Sequence, residues 1–165
     1  MGRYEPVTQP LWSWWAMRTE AVAVIYWGLA GRVLLDHLRG TPFLPWILRL
    51  FGAEFGRGVF MDTTDITEFD CVKVGNYAAL NALSALQTHL YEDRVMKVGR
   101  VAVADGVTVG AGSTVLYDTV VSSYARLGPL TVVMKGEQIP PNSAWSGAPA
   151  EPKGMGGPPS VRAAA

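Results

Sequence analysis

His89 is the side chain whose type best suits it to move a proton near neutral pH. A histidine titrates near pKa 6.5 and can accept a proton from a reacting group. A primary amine carries a proton in water, with a lysine-type pKa of about 10.4, and must lose it before attacking a carbonyl. His89 lies in residues 87–100, the most charged stretch of the chain. Read alone, it is more readily a surface loop histidine without a role. Glu92 or Asp93 can orient such an imidazole, as carboxylates do in acyl-transfer sites, or can sit in a solvated turn. Asn81 can donate to a developing oxyanion; the stronger alternative is an asparagine ladder inside the coil. Asp62, Asp65, Glu68 and Asp70 cluster upstream, without the glycine turn and terminal glutamate of a calcium loop. Together with Glu92 and Asp93 they form an anionic mouth that attracts a cationic acceptor, or else acidic corners facing water. Cys71 reads as a buried structural thiol, and His37 as an interfacial residue near Arg39.

The scaffold that positions these residues is legible as a period of six. Val103, Val109, Val115, Val121, Leu127, Val133 and Ile139 are spaced six apart without a slip. Val74, Leu80 and Leu86 form an earlier run with the same spacing. Six matches neither the helix nor the strand period, and it is the mark of a parallel β-helix. Each hexad supplies one short strand and one corner, with the aliphatic inside. Leu86 and Val103 are 17 residues apart rather than 18. A segment therefore leaves the coil between them, and it carries His89. Interruptions of a rigid scaffold are where function concentrates.

The preceding third of the chain is of another kind. Residues 10–53 hold five of the six tryptophans, mixed with Arg18, Arg32, Arg39 and Arg49. That mixture suits a membrane–water interface or a partner surface. The uncharged stretches are too short for a membrane span, which needs about 20 apolar residues. Residues 11–38 read as one helix broken at Gly40-Thr41-Pro42, and residues 44–51 as a second, short one. The resulting division is a flexible N-terminus at 1–10, apolar docking helices at 11–53, a β-helix at 54–150 with a loop at 87–102, and a disordered tail at 151–165.

Composition narrows the function classes. The chain has 165 residues, 49% hydrophobic and 17% charged, against about 25% charged in an ordinary soluble domain. Disorder is excluded as the main state. Fourteen basic residues balance 14 acidic ones, so there is no nucleic-acid footprint. One cysteine and two histidines exclude a disulfide framework and argue against a zinc site, including the three-histidine site of a γ-class carbonic anhydrase. No metal is expected.

The hexads, the looped-out histidine and the ending Gly147-Ala148-Pro149-Ala150 resemble the hexapeptide-repeat acyltransferase superfamily. Three further strings, Leu38-Arg39-Gly40-Thr41-Pro42-Phe43-Leu44-Pro45, Asp62-Thr63-Thr64-Asp65-Ile66-Thr67-Glu68-Phe69-Asp70 and Leu86-Gln87-Thr88-His89-Leu90-Tyr91-Glu92-Asp93-Arg94-Val95-Met96-Lys97, resemble the C-terminal region of the ε-poly-L-lysine synthetase family. These are bacterial, membrane-bound nonribosomal peptide synthetases. The resemblance implies a mainly β fold, a left-handed parallel β-helix preceded by apolar helices. It implies acyl or aminoacyl transfer from a phosphopantetheine carrier thioester or a coenzyme A thioester to a lysine-like amine, with His89 as base. It further implies a homotrimer or a pseudo-trimer with sister β-helix domains, a carrier-domain partner, and a place on the cytoplasmic face of the membrane, touched through residues 10–53. Lys135, Gly110 and Gly128 are the candidates for the donor's cofactor arm, although Glu151 stands where many coenzyme A-dependent relatives have a basic residue. The alternative function is a non-catalytic β-helix that completes a trimer or a membrane-associated synthetase assembly.

Overall fold

Each hexad aliphatic turns inward and stacks on its counterpart one coil away. The computed structural model describes residues 4–153 and forms a left-handed parallel β-helix with three faces. On the first face Phe55, Val74, Val103, Val121 and Ile139 are in register. The second stacks Met61, Leu80, Val109, Leu127 and Trp145. The third stacks Ile66, Leu86, Val115 and Val133. Except for the half-buried Trp145 at the end, these side chains are buried and make one continuous core. A short hexad strand cannot bury an aliphatic alone; the stack of coils does so. Leu80→Ala, at the centre of this stack, is expected to cost about 2–5 kcal/mol in denaturant unfolding.

Close stacking explains the small residues. A Cβ on Gly110 would stand 2.4 Å from the carbonyl carbon of Gly128 in the next coil. Only glycine allows that backbone approach.

The first coil breaks the period after Met61. Ile66 follows Met61 by five positions, and Val74 follows Ile66 by eight. The extra residues form a 3₁₀ turn, Phe69–Cys71, preceded by Glu68.

The segment expected as a loop at 87–102 is ordered. Ala85–Gln87 belongs to the third face. The chain then projects as a β-hairpin, His89–Glu92 paired with Val95–Val98. Asp93 and Arg94 turn it with φ of 50° and 63°, the left-handed pair of a type I′ turn.

Of the N-terminus expected to be flexible at 1–10, residues 1–3 lie outside the described residues and part of the rest is a strand. Val7–Pro10 pairs antiparallel with Val95–Val98, covering an edge that would otherwise be unpaired. Glu151–Lys153, expected in the tail, pairs antiparallel with Ala144–Ser146. Residues 154–165, the rest of that tail, lie outside the described residues.

The expected helix at 11–38 is segmented. Helix α1, Trp14–Ile25, starts at Ser13, whose hydroxyl accepts the Ala16 N–H at 3.2 Å, a side-chain N-cap. It widens into a π-helical turn, Tyr26–Gly31, followed by a 3₁₀ turn, Leu35–Leu38. Helix α2, Phe43–Leu50, buries Leu44 and Leu48, one turn apart. With Leu35 and Tyr26 they extend the β-helix core across the first coil. The outer side remains apolar, with Trp12, Trp14, Val33, Trp46 and Leu50 exposed. No described helix is long and apolar enough to cross a membrane.

Candidate active site

His89 opens the hairpin, so its position is fixed by the coil before it. The irregular turn of the first coil brings Glu68 beneath it. Nδ1 of His89 lies 3.0 Å from both carboxylate oxygens of Glu68. The Thr88 hydroxyl also donates to Glu68 Oε2. The Thr88 N–H donates to the Thr67 hydroxyl at 2.9 Å, and the two threonine hydroxyls are 2.7 Å apart. Glu68 is buried with only 5% of its side chain exposed, and His89 retains 13%.

These contacts set the imidazole's chemistry. An ionised carboxylate only accepts, so Nδ1 carries the proton and Nε2 is left as the basic nitrogen. Burial alone would push the His89 pKa down. The hydrogen bond and charge of Glu68, helped by the charge of Glu20, outweigh it and raise the pKa above the usual histidine range. Burial pushes Glu68 upward, but the hydrogen bond and charge of His89 and the Thr88 hydroxyl hold it below the usual carboxylate range. The His89 ring also packs edge-on against Tyr91, whose hydroxyl donates to Glu20 of α1. The roof helix and the hairpin are thereby joined next to the dyad.

His89 and Glu68 border a cavity of about 520 Å³ between the first coil and the helical roof. Val22, Ala23, Ile25, Trp27, Phe51 and Phe69 supply much of its apolar wall. Asp70 is the other carboxylate there, and its Oδ2 accepts the Tyr4 N–H at 3.2 Å.

The other candidates are dispersed. The carboxylate against His89 is Glu68, not Glu92 or Asp93. Glu92 alternates in strand direction and leaves the dyad for Lys97 and Lys135, at 3.0 Å and 2.5 Å. Those ammonium groups hold its pKa below the usual range. Asp93 is at the hairpin tip. Asp62 pairs with Arg39 at 3.7 Å, and Asp65 is exposed at the next corner. The expected acidic mouth is thus several separate sites, because successive corners and strands point different ways. Asn81 donates through Nδ2 to the Val109 carbonyl at 2.8 Å, which ties its amide to the backbone of the next coil. Lys135 is tied to Glu92, and the space above Gly110 is filled by Gly128. This chain alone therefore offers no open cradle for a cofactor arm at those residues. Cys71 is buried, and burial with the nearby Glu68 charge pushes its thiol up to about 11. Among the described residues no cluster of metal-ligating side chains is present.

Glu92→Gln is accordingly expected to leave the His89 titration in place, whereas Glu68→Gln moves it. Proton NMR of the imidazole across pH 5–9 checks both.

Sequence periodicity missed Glu68 as the imidazole's partner. The signal available was the broken hexad between Ile66 and Val74, which marks an outward turn beside the hairpin base.

No family model matches the chain. It is 50% identical over 152 residues to a delta-poly-L-ornithine synthetase of Acinetobacter baumannii, covering 92% of this chain. The chain spans 11% of the length of that curated relative. Among solved structures, a hexapeptide-repeat-containing acetyltransferase from Vibrio cholerae superposes with a TM-score of 0.58 at 12% identity, over 82% of this chain and 91% of the other. The serine acetyltransferase of Neisseria gonorrhoeae reaches a TM-score of 0.50 at 26% identity, over 62% of this chain and 38% of the other. The fold is therefore that of hexapeptide-repeat acetyltransferases.

Proposed function

We propose that the chain is an acyl- or aminoacyl-transfer domain that forms an amide between a thioester-bound acyl group and an amine of a lysine- or ornithine-like acceptor. The observation that carries this reading is the buried Glu68–His89 pair, with Nε2 as the basic nitrogen, beside a cavity. The curated relative's name supports an amide-forming assembly with a diamino-acid substrate. The Vibrio cholerae acetyltransferase, also solved with acetyl coenzyme A, supports a thioester donor of coenzyme A or phosphopantetheine type.

The chemistry follows from the pair. His89 Nε2 takes a proton as the amine nitrogen forms its bond to the thioester carbonyl carbon. The carbon–sulfur bond breaks, and the thiolate leaves and recovers a proton. Glu68 holds the ring in the productive tautomer and stabilises the imidazolium. Asn81 is occupied by Val109, so backbone N–H groups are the better oxyanion donors. The donor arm needs a groove wall from a neighbouring β-helix, either a second copy in a homotrimer or a sister domain in a pseudo-trimer; a carrier domain would deliver a carrier-bound donor.

The exposed tryptophans of the helical roof favour a membrane surface as the other partner, on the cytoplasmic side of a bacterial membrane. Trp12, Trp14 and Trp46 are 59–83% exposed, and Trp seeks the headgroup level. Replacing all three with serine is expected to reduce cosedimentation with anionic phospholipid vesicles at least tenfold. Unchanged cosedimentation would remove the membrane from this reading. The transfer reading is tested by amide formation from a thioester and a diamino acid in the assembled protein, with and without His89.

A further inference from the structure

The cavity beneath the helical roof combines features that select one ligand class. Its walls are apolar, formed by aliphatic and aromatic residues of α1, the π-helical turn and the first coil. Its charged lining is Glu68, Asp70 and His89, and no lysine or arginine lines it among the described residues. Glu68 is hydrogen-bonded by His89 and by the Thr88 hydroxyl, and keeps its charge while Nε2 is unprotonated. Asp70 has no basic partner among the described residues: it receives one backbone N–H from Tyr4. Among the described residues the cavity thus presents a hydrocarbon surface and the carboxylates of Glu68 and Asp70 next to the basic nitrogen. An anionic phosphate or carboxylate is repelled there, and a neutral chain leaves Asp70 unpaired. An alkyl chain ending in ammonium satisfies both surfaces.

The roof itself is adapted to this space. The helix widens into the π-helical turn Tyr26–Gly31, and Tyr26, Trp27, Leu29 and Ala30 of that turn line the cavity. π-turns are rare and concentrate at functional sites. Thr19 lines it from α1 as well, while Glu20 on the same helix receives the Tyr91 hydroxyl. The roof is therefore fixed to the hairpin at the end of the cavity where His89 lies.

We infer that this cavity is the acceptor pocket, taking a primary alkylammonium chain with its methylenes against the roof and its charge facing Asp70 and the Glu68–His89 pair. The inference rests on the proposed transfer reaction for what happens next, but the binding itself does not require that reaction. It places the acceptor inside one chain, under the roof.

The experiment is calorimetric titration of the full chain with n-propylamine through n-hexylamine, beside n-hexanol and hexanoate. Amines are expected to bind about fourfold more tightly per added methylene until the cavity is filled. Hexanol and hexanoate are expected to bind at least tenfold more weakly than hexylamine. Asp70→Asn, which keeps an acceptor for the Tyr4 N–H, is expected to weaken hexylamine on the order of tenfold. Ala23→Trp and Ala30→Phe each fill the cavity from a different point of the roof, and each is expected to abolish binding while the melting curve stays cooperative. Equal affinity for hexanol and hexylamine overturns the inference, as does undiminished binding in both filled variants. His89→Gln separates it from the reaction. Binding retained with amide formation lost upholds both. Binding abolished by the fillers with amide formation untouched in His89→Gln leaves the pocket and removes the proposed role of His89. Amide formation lost in His89→Gln while both filled variants still bind hexylamine removes the pocket alone.

Discussion

Replacing His89 by glutamine is expected to lower amide formation by 10²–10⁴-fold, about the range that a positioned general base contributes. Glutamine is the more informative change than alanine. Removing the imidazole outright leaves Glu68 buried against the Thr88 hydroxyl with no cationic or N–H partner from the hairpin. A buried carboxylate in that state takes up a proton or destabilises the fold, by about 3–5 kcal/mol when a buried pair loses one member. The glutamine side chain can still donate an N–H toward Glu68, yet it has no nitrogen that titrates near neutrality. A cooperative melt close to wild type with product formation reduced at saturating amine and thioester identifies a lost base. The loss is expected in turnover more than in the Michaelis constant for the amine, because cavity and Asp70 are intact. If product formation stays within twofold, the domain is the scaffold of a larger assembly and its dyad is structural.

The parts of the molecule that were legible beforehand are those governed by repetition. Seven hexad residues from Val103 to Ile139 all face the core, because a coil of three short strands can bury only one side chain per face. The projecting segment was legible from a register slip between Leu86 and Val103. What the order of residues did not reveal was pairing between coils. Glu68 and His89 are 21 positions apart and meet only because one coil is interrupted and the next throws out a hairpin. Glu92 looked closer to His89 along the chain, but strand alternation and two lysines draw it away. The helical third was read by its surface. Four of its five tryptophans are exposed, Trp15 packing inward beside Met96, but its buried residues, Tyr26, Leu35, Leu44 and Leu48, make it a roof over the first coil. Amphipathic patterning there is blurred by the change from α to π geometry, which rotates the buried face. The strand Val7–Pro10 was not legible because it has no partner until the hairpin exists.

Glu68→Gln is expected to be as damaging as the loss of the histidine, on the order of 10²–10⁴-fold, and to leave a distinct signature in pH. In the native pair Glu68 only accepts, so Nδ1 keeps its proton and Nε2 stays basic. A glutamine in the same place can offer its NH₂ to Nδ1 while its carbonyl takes the Thr88 hydroxyl. That arrangement turns Nδ1 into an acceptor and puts the proton on Nε2, the nitrogen that must be free. Charge acts in the same direction. Burial pulls His89 down and Glu68 holds it up; without the carboxylate, burial dominates and the imidazole pKa falls. Turnover needs neutral His89, so in the native chain it rises with pH through a midpoint above the ordinary histidine value of about 6.5. In Glu68→Gln the residual activity is expected to rise through a lower midpoint, so the ratio of native to variant activity grows as pH increases. Stability gives an independent sign. A raised histidine pKa stabilises the fold below the unfolded value, and that contribution disappears as pH rises through the folded value. The depressed Glu68 pKa stabilises the fold above the usual carboxylate value and is lost as pH falls through the folded one. The native chain is therefore expected to melt at its highest temperature between these limits, and Glu68→Gln to flatten that dependence. A rate profile whose midpoint does not move in the variant would show that the two residues are neighbours without being a pair.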